Sequence, residues 1–361
     1  MDIGNKAGSV SRRQKNALIF VSLLSPIIRL FPKSAVSIGG KAVWFSPLLA
    51  LPLVLLIFAM MQRFLKNAGP EEGLGDMIIK AAGKVAGKIM LTLIAFWLVF
   101  YTGFIVKSSA ERLLSSIYPN GQPAMFVVTT VLVAAWMASG KLRSLGRTAE
   151  IFAGVIGVII LIIILVAGFS IKAKNLLPIT VKDAGGIAIG AIPVANVLGI
   201  GSYMAFLSGS EKTAKKNFGA VLLLVIVIMA IMVTTIGNLG TEIINSLQHS
   251  FFVMVRDIDL IGVTERIEAA VIISWVITDI LYVTVLLKIC GEIGGTIIKK
   301  EKKKKYIFAA AVFSIIIALF VIKNAFILHF ISGIIIPIIN ILVVFILFPL
   351  LFVVGRIRQK I

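Results

Sequence analysis

The chain has 361 residues, of which 59 % are hydrophobic and 14 % are charged. Its mean hydropathy of +1.06 is far above that of a soluble domain, which needs polar segments to cover its core. Lysine and arginine outnumber aspartate and glutamate by 36 to 16, but they lie in blocks between apolar stretches, as in membrane proteins. The composition therefore excludes a soluble domain, and we expect a lipid bilayer rather than nucleic acid around the chain.

Ten apolar stretches are predicted to be transmembrane helices, because a hydrocarbon layer of about 30 Å needs roughly 20 apolar residues to cross it. No small-residue cleavage site follows the first stretch, so we predict a helix of the bundle there and not a signal peptide. The predicted fold class is an all-α polytopic membrane protein, with residues 1–361 in a single integral membrane domain. The stretches are 16–31, 44–65, 88–110, 124–140, 146–171, 187–208, 217–238, 262–290, 306–323 and 329–355.

The positive blocks predict that both termini are cytoplasmic. With the N-terminus inside, roughly 25 of the 36 lysines and arginines fall on the cytoplasmic side. An even number of spans then places the C-terminus on the same side. Residues 69–88 begin as a polar turn and continue with an apolar stripe opposite charged residues, which predicts either a short amphipathic helix on the cytoplasmic membrane surface or a plain loop. Residues 237–262 are predicted to form short helices over the outer mouth.

Two of the stretches are interrupted at polar, glycine- or proline-bearing points, Ser25-Pro26 in the first and Gly199-Ile200-Gly201-Ser202 in the sixth, which predicts that helices 1 and 6 are broken. Broken spans about half a chain apart indicate a transporter-type binding site, since they expose backbone groups that a ligand can use. The glycines could equally serve close helix packing. The candidate ligand-binding residues at these points are Ser22, Ser25 and Pro26 in the first stretch, and Asn196, Gly199, Gly201 and Ser202 in the sixth.

The eighth stretch places Trp275, Asp279 and Tyr282 on one helix face, because they follow one another at steps of three and four residues. A carboxylate within the membrane is costly and faces the protein interior or a watery cavity. Asp279 could bind an ammonium group, carry a proton or pair with a basic side chain. The alternative is a carboxylate buried in a hydrogen-bonded helix contact. Tyr101 of the third stretch is a further candidate ligand-binding residue.

Other charged and polar residues are predicted to have structural roles. Glu265 and Glu268 lie at the outer end of the eighth helix, where carboxylates stabilise unpaired N–H groups. Arg29 is expected to extend towards the membrane surface. Asn340 has a packing interpretation at least as good as a ligand-binding one. Glu150 is expected to be a charge at a helix end.

No motif for enzyme chemistry or for a cofactor occurs in the sequence. Cys290 is the only cysteine, so neither an intramolecular disulfide nor a cysteine metal cluster can form. His249 and His329 are far apart and have no metal-ligand neighbour three or four residues away, so both are expected at membrane edges. A P-loop, a G-x-S-x-G elbow and an H-E-x-x-H pair are absent. We therefore expect no enzyme, no cofactor and no metal.

Two short motifs, in order and at matching spacing, resemble a known family. The first is Arg147-Thr148-Ala149-Glu150-Ile151 before a long apolar span that Asn175-Leu176-Leu177-Pro178-Ile179 closes. The second is Thr264-Glu265-Arg266-Ile267-Glu268, with Trp275 seven residues later. These segments resemble the spore germination permeases, the B subunits of GerA-type nutrient germinant receptors. The span count agrees over essentially the whole chain.

The resemblance implies the fold of the amino acid–polyamine–organocation transporter superfamily, a LeuT-like 5+5 inverted repeat with broken helices 1 and 6. The repeats would cover about 16–171 and 187–355. It also implies the spore inner membrane, A and C subunits as partners, and a nutrient, often an amino acid, between helices one, three, six and eight. The sixth stretch departs from the family's usual Gly-Gly-Glu, and Asp279 is not part of the family pattern. The identity of the ligand and any ion coupling are therefore not carried over from the family to this chain.

Several functions stay open at this point. The first is a nutrient sensor that binds a small molecule in a transporter-like pocket and triggers germination. The second is a proton- or sodium-coupled amino acid transporter, which composition and helix breaks fit equally well. The third is an assembly subunit that anchors its partners and binds no ligand. A channel for ions or small solutes has no motif in its favour.

Overall fold

The computed structural model describes residues 10–30, 32–69, 72–116, 118, 120–207, 218–247, 249–257 and 264–358. Within these ranges all ten predicted stretches are helical and no strand occurs. Eight described helical segments are long and apolar enough to cross a membrane. The first and fourth stretches fall outside that group, since the helix of the first carries four basic residues and the fourth forms a helix of 17 residues. The predicted all-α membrane class is confirmed.

Within the described residues, the chain up to Gly168 forms seven α-helices and a short 3-10 helix. They are α1 (Arg12–Leu30), α2 (Lys33–Gly39), a 3-10 helix (Gly40–Phe45), α3 (Ser46–Lys66), α4 (Leu74–Ala82), α5 (Lys84–Ser116), α6 (Pro123–Ser139) and α7 (Leu142–Gly168). We call the end of the bundle at which α1 begins the basal end, and the other the distal end. Arg13 of α1 and Glu150 of α7 form an ion pair of 2.5 Å towards the basal end. Glu150 was expected at a helix end, but α7 begins at Leu142, so Glu150 lies more than two turns inside the helix.

The second half adds nine α-helices within the described residues. They are α8 (Ala184–Ile200), α9 (Phe218–Leu239), α10 (Thr241–Ser246), α11 (Ser250–Asp257), α12 (Thr264–Ile297), α13 (Lys303–Ile316), α14 (Ala325–Phe330), α15 (Ile336–Asn340) and α16 (Phe348–Ile357). A 3-10 helix, Gly201–Leu207, continues α8. Two π-helical turns join α14, α15 and α16 into one segment, Ala325–Ile357.

The basal segment before α5 is a helix rather than a plain loop. In α4 the buried residues Leu74, Met77, Ile78 and Ala81 lie on one face, as an amphipathic surface helix requires. The chain then turns into α5 at Gly83, whose φ of 95° is in the left-handed region that favours glycine. The amphipathic alternative of the sequence analysis is therefore confirmed.

The predicted break of the first helix at Ser25 and Pro26 is wrong. The helix α1 runs without interruption from Arg12 to Leu30 and contains Pro26. Proline fixes φ at a helical value but supplies no N–H to the carbonyl four residues earlier, which is that of Ser22. Neighbouring helices surround this part of α1, where Ser22 and Ile27 are fully buried, and such packing allows proline within a membrane helix.

The predicted interruption of the sixth helix is present as a change of helix type. The α-helical pattern of α8 ends at Ile200, and Gly201 begins the 3-10 helix. Both glycines are also closely packed. A Cβ atom on Gly199 would lie 2.9 Å from the ring of Phe345, and one on Gly201 would lie 2.9 Å from Leu23. The structure thus supports the packing alternative at both positions.

The centre of the bundle is α12, which packs against α1, α5, α6 and α13. In its apolar 18-residue membrane-spanning part, 72 % is buried inside the protein, against 22 % in the corresponding part of α7. The exposed face of α7 consists of aliphatic side chains such as Ile151, Val158 and Leu165, which suits contact with lipid. At the distal end, α10 packs on α2 and α9, and α11 packs on α9 and α12. The short helices predicted within 237–262 are therefore present.

Candidate functional site

A buried polar cluster lies where α1, α5 and α12 meet. Asp279 of α12 is 1 % exposed. Its carboxylate accepts hydrogen bonds from Ser25 Oγ of α1 and from Ser109 Oγ of α5. It also forms an ion pair with Nη2 of Arg112, on α5. Among the alternatives left open for Asp279, the structure shows the pairing with a basic side chain.

Arg112 is 2 % exposed, and its guanidinium carbon lies 4.7 Å from the centroid of the Trp275 ring. A cation over an aromatic face is attracted by the ring's electron density. Within the described part of the chain, the buried Nε and Nη1 of Arg112 have no hydrogen-bond partner. Most buried polar groups in folded proteins have one. Arg112 therefore keeps unused donors in a buried environment.

Helix α11, at the distal end of the bundle, contacts this cluster through aromatic rings. Phe252 of α11 packs against Trp275, with ring centroids 5.0 Å apart. The guanidinium carbon of Arg256, one turn later on α11, lies over the Phe252 ring at 5.9 Å from its centroid. Beside Trp275 is a cavity of only about 10 Å³, which Phe251 of α11 also lines. That volume holds about one water molecule, so the cluster is closed at the distal side.

A second layer of polar contacts lies closer to the basal end. The hydroxyl groups of Tyr282 and Tyr101 are 3.1 Å apart, one helical turn along α12 from Asp279. Trp97 Nε1 donates to Asn340 Oδ1 at 3.1 Å and links α5 to α15. Asn340 is fully buried. The hydrogen bond from Trp97 therefore supports the interpretation of Asn340 as a packing residue.

Two larger cavities lie on either side of these layers. A basal cavity of about 70 Å³ is lined by Lys15, Gln62, Gly201 and Ser202, among others. A distal cavity of about 330 Å³ is lined by residues of α2, α5 and α14 and includes both histidines of the sequence, His249 and His329. The fold thus brings together two histidines that the sequence analysis treated as unrelated.

The structure brings some of the predicted site residues together and separates others. Ser25, Trp275 and Asp279 belong to the buried cluster, and Tyr101 and Tyr282 form the next layer. Gly201 and Ser202 line the basal cavity instead. Ser22 and Asn196 are buried, and their Oγ and Oδ1 atoms have no partner among the described residues. Pro26 lies within α1, and Gly199 packs against Phe345. The side chains of Arg29, Glu265 and Glu268 lie outside the described residues.

Sequence reasoning missed Arg112 and Ser109. Arg112 falls two residues beyond the predicted third stretch, so it was not considered a membrane residue. Periodicity could have found it, because Arg112 lies eleven residues, close to three full turns, after Tyr101 and shares its helix face. The requirement that an intramembrane carboxylate have a partner would also have directed attention to basic residues of other helices.

With this geometry in hand, comparison with known proteins identifies the family. A family model described as "Spore germination protein" matches residues 9–327. The chain belongs to the spore germination protein family. No curated protein matches this spore germination protein. The predicted relationship to spore germination permeases is confirmed.

Solved structures support the transporter-like fold of this spore germination protein. It is similar to a Na⁺-coupled sialic acid symporter in its substrate-bound outward-open state, with a TM-score of 0.56 and 13 % identity. The match covers 96 % of this chain and 81 % of the symporter. At this identity the likeness concerns the fold alone. Family and fold are those of membrane permeases and transporters, not of enzymes.

Proposed function

We propose that this spore germination protein is the membrane subunit of a nutrient germinant receptor. It binds a small nutrient, an amino acid in the simplest case, and thereby triggers germination. The observation that carries the proposal is the buried cluster of Ser25, Ser109, Arg112 and Asp279, a polar site between three helices of a transporter-like fold. A site with unused hydrogen-bond donors in such a position is suited to a small polar ligand.

Ligand binding would act by shifting a conformational equilibrium. A ligand changes the populations of two states only as far as it binds one state better than the other. The closed cluster lies under α11, and Trp275 contacts both Arg112 and Phe252 of that helix. A ligand at Arg112 therefore changes the packing beneath α11. Movement of α11 is the route by which we expect occupancy to reach the rest of the receptor.

The proposal includes the surroundings of the protein. We place it in the spore inner membrane, with the A and C subunits of a germinant receptor as partners. The basal end carries α4, the start of α1 and the lysine-rich turn Lys300–Lys302. Since positive residues concentrate on the cytoplasmic side of membranes, we propose that both termini are cytoplasmic.

Spores that lack only this gene provide the test. Germination is followed by the fall in optical density over a panel of amino acids, sugars and nucleosides. The proposal expects loss of the response to one nutrient and its restoration by the wild-type gene. Unchanged germination across the panel contradicts the receptor function. Loss of the other receptor subunits from the membrane, without a nutrient-specific defect, favours the assembly-subunit alternative.

The second candidate is a proton- or sodium-coupled amino acid transporter. Similarity of the fold to a Na⁺-coupled sialic acid symporter is the observation in its favour. Purified protein in sealed vesicles distinguishes the two functions. Uptake of a radiolabelled amino acid that depends on a proton or sodium gradient supports the transporter. Saturable binding without uptake supports the receptor.

A further inference from the structure

We infer that the ligand of this site carries a carboxylate, and that Arg112 is the residue that binds it. This inference rests on the proposed function, because it names the chemical class of the nutrient. It departs from the first expectation for the site, which made Asp279 a candidate receptor for an ammonium group. Three observations carry it: the hydrogen bonds of Asp279, the unused donors of Arg112 and the charge balance of the cluster.

Asp279 is already occupied by other groups of the protein. Its two carboxylate oxygens receive hydrogen bonds from Ser25, Ser109 and Arg112. An ionised carboxylate has about four acceptor positions, and here three are taken by groups of two other helices. A ligand ammonium would have to displace Arg112, which would leave a buried guanidinium without its counter-charge. Asp279 therefore acts as the fixed counter-ion of Arg112.

Arg112, in contrast, has hydrogen-bond donors that no protein group uses, its Nε and Nη1, within the described part of the chain. A guanidinium has five N–H donors in a plane, and two of its edges each present a pair of parallel N–H groups. Asp279 is bonded through Nη2 alone, so one such pair remains for a second carboxylate. The guanidinium carbon lies over the ring of Trp275, and such stacking is compatible with hydrogen bonds in the plane of the guanidinium.

Charge balance favours an amino acid over a simple anion. Arg112 and Asp279 together are neutral, and the nearest charges on α5, Lys107 and Glu111, pair with each other at 2.9 Å. An amino acid zwitterion adds no net charge to the buried cluster, whereas a simple anion does so at a desolvation cost. The cavity beside Trp275 is far smaller than an amino acid. Binding therefore requires α11 and Trp275 to move.

The decisive variant is Arg112→Lys. Lysine keeps the positive charge beside Asp279 but cannot present two parallel N–H groups. We expect it to fold and to bind carboxylates at least about tenfold more weakly, since a hydrogen bond to a charged group contributes about 1.5–3 kcal/mol. Arg143→Lys, the same exchange at an exposed position of α7, is the matched control. The double variant Arg112→Met with Asp279→Leu removes both buried charges and should fold without binding.

Binding is measured on the purified full-length protein in lipid nanodiscs, by the shift of its thermal unfolding. The probes are free L-amino acids, their carboxamides and the amines without the carboxyl group, with glucose and inosine alongside. The inference expects stabilisation by at least one amino acid, not by its amide or amine, and its weakening in Arg112→Lys. It is overturned if an amide or amine binds as tightly as the acid, if Arg112→Lys binds normally, if only glucose or inosine binds, or if no probe binds.

Failure of this inference and failure of the receptor function give different results. If deletion of the gene abolishes a response that Arg112→Lys spores keep in full, the receptor function holds and the carboxylate inference fails. If deletion leaves germination unchanged while the purified protein binds carboxylates through Arg112, the ligand class holds and the receptor function fails.

Discussion

Two buried charges on α12 have opposite relations to their surroundings. Towards the distal end, Asp279 pairs with Arg112, which retains unused donors. Nine residues later, Lys288 is also buried, and its Nζ donates to the carbonyl oxygens of Ala138 and Gly140 at 2.9 and 2.7 Å. Those carbonyls lie at the end of α6, where helices leave acceptors without partners. Lys288 thus closes a helix end and is largely satisfied by the protein itself.

The comparison shows that burial of a charge does not by itself indicate a binding site. Both sites place a charge within the bundle, and both link α12 to a neighbouring helix. They differ in hydrogen-bonding capacity that the protein leaves unused. A buried donor without a partner is unfavourable unless something else occupies it. Of these two sites, the Arg112 site is therefore the one at which we propose a ligand, and for Lys288 we propose a structural role.

The largest expected effect is that of Asp279→Asn. The substitution leaves Arg112 buried without a counter-charge, which costs about 3–5 kcal/mol when a buried pair is broken. We expect lower abundance in the membrane and a lower unfolding temperature in detergent. The double variant Arg112→Met with Asp279→Leu should recover most of that stability, because it removes both charges. If Asp279→Asn has wild-type stability and has lost nutrient binding, Asp279 contacts the ligand directly.

Lys288→Met tests the other side of the comparison. Methionine retains most of the side chain's length but removes the donors to Ala138 and Gly140, so we expect a loss of about 1–3 kcal/mol of stability. Nutrient affinity of the folded fraction should not change. Thermal unfolding and ligand titration of the same preparation measure both quantities. Altered affinity at unchanged stability would show that Lys288 takes part in binding and would contradict its structural role.

Gly201→Leu separates packing from binding at the start of the 3-10 helix. A Cβ atom there would come within 2.9 Å of Leu23 and of Phe58, so we expect a loss of about 1–3 kcal/mol from overpacking. Gly154→Leu is the matched control, because nothing lies within 4 Å of a Cβ atom at that position of α7. A stable Gly201→Leu protein without ligand response would instead place the ligand in the basal cavity.

The smallest expected effect is that of Glu72→Gln, at an exposed pair before α4. The Glu72 carboxylate accepts hydrogen bonds from Lys80 Nζ at 2.6 Å and from the Gly69 N–H at 2.7 Å. Both hydrogen bonds lower the pKa of the Glu72 carboxyl group, and the one from Lys80 has the larger effect. A carboxyl group whose pKa is lowered in the folded state stabilises the fold at pH values above its unfolded-state pKa. This stabilisation is lost as the pH falls through the folded-state pKa. At neutral pH we expect a loss under about 1 kcal/mol, since exposed pairs contribute little.

The pH dependence of that difference is the measurement. Wild type and Glu72→Gln should differ in unfolding temperature at neutral pH and converge in acid, where Glu72 is protonated. A difference as large as that of Asp279→Asn would contradict the distinction between buried and exposed pairs.

Much of the fold and part of the site were predictable from the sequence. The helical stretches are local features, because the length of an apolar run decides whether it can cross a membrane. Asp279 and Trp275 were found because helical periodicity places them on one face. The break at Pro26 was predicted wrongly, since proline's effect on a helix depends on the neighbours that pack around it. Packing of Gly199 and Gly201 likewise depends on Phe345 and Leu23, which are distant in sequence.

Apolar runs and short motifs are read along the chain, so the amino-acid sequence is enough to identify a polytopic helical membrane protein of the spore germination family. The interactions of Asp279, in contrast, depend on how the helices pack. Its partner Arg112 is 167 residues away, and the stack on Trp275 joins α5 to α12. A hydrogen bond depends on distance in space, which the order of residues does not specify until the helices pack. The unused donors of Arg112, and with them the carboxylate ligand that we propose, follow from that packing.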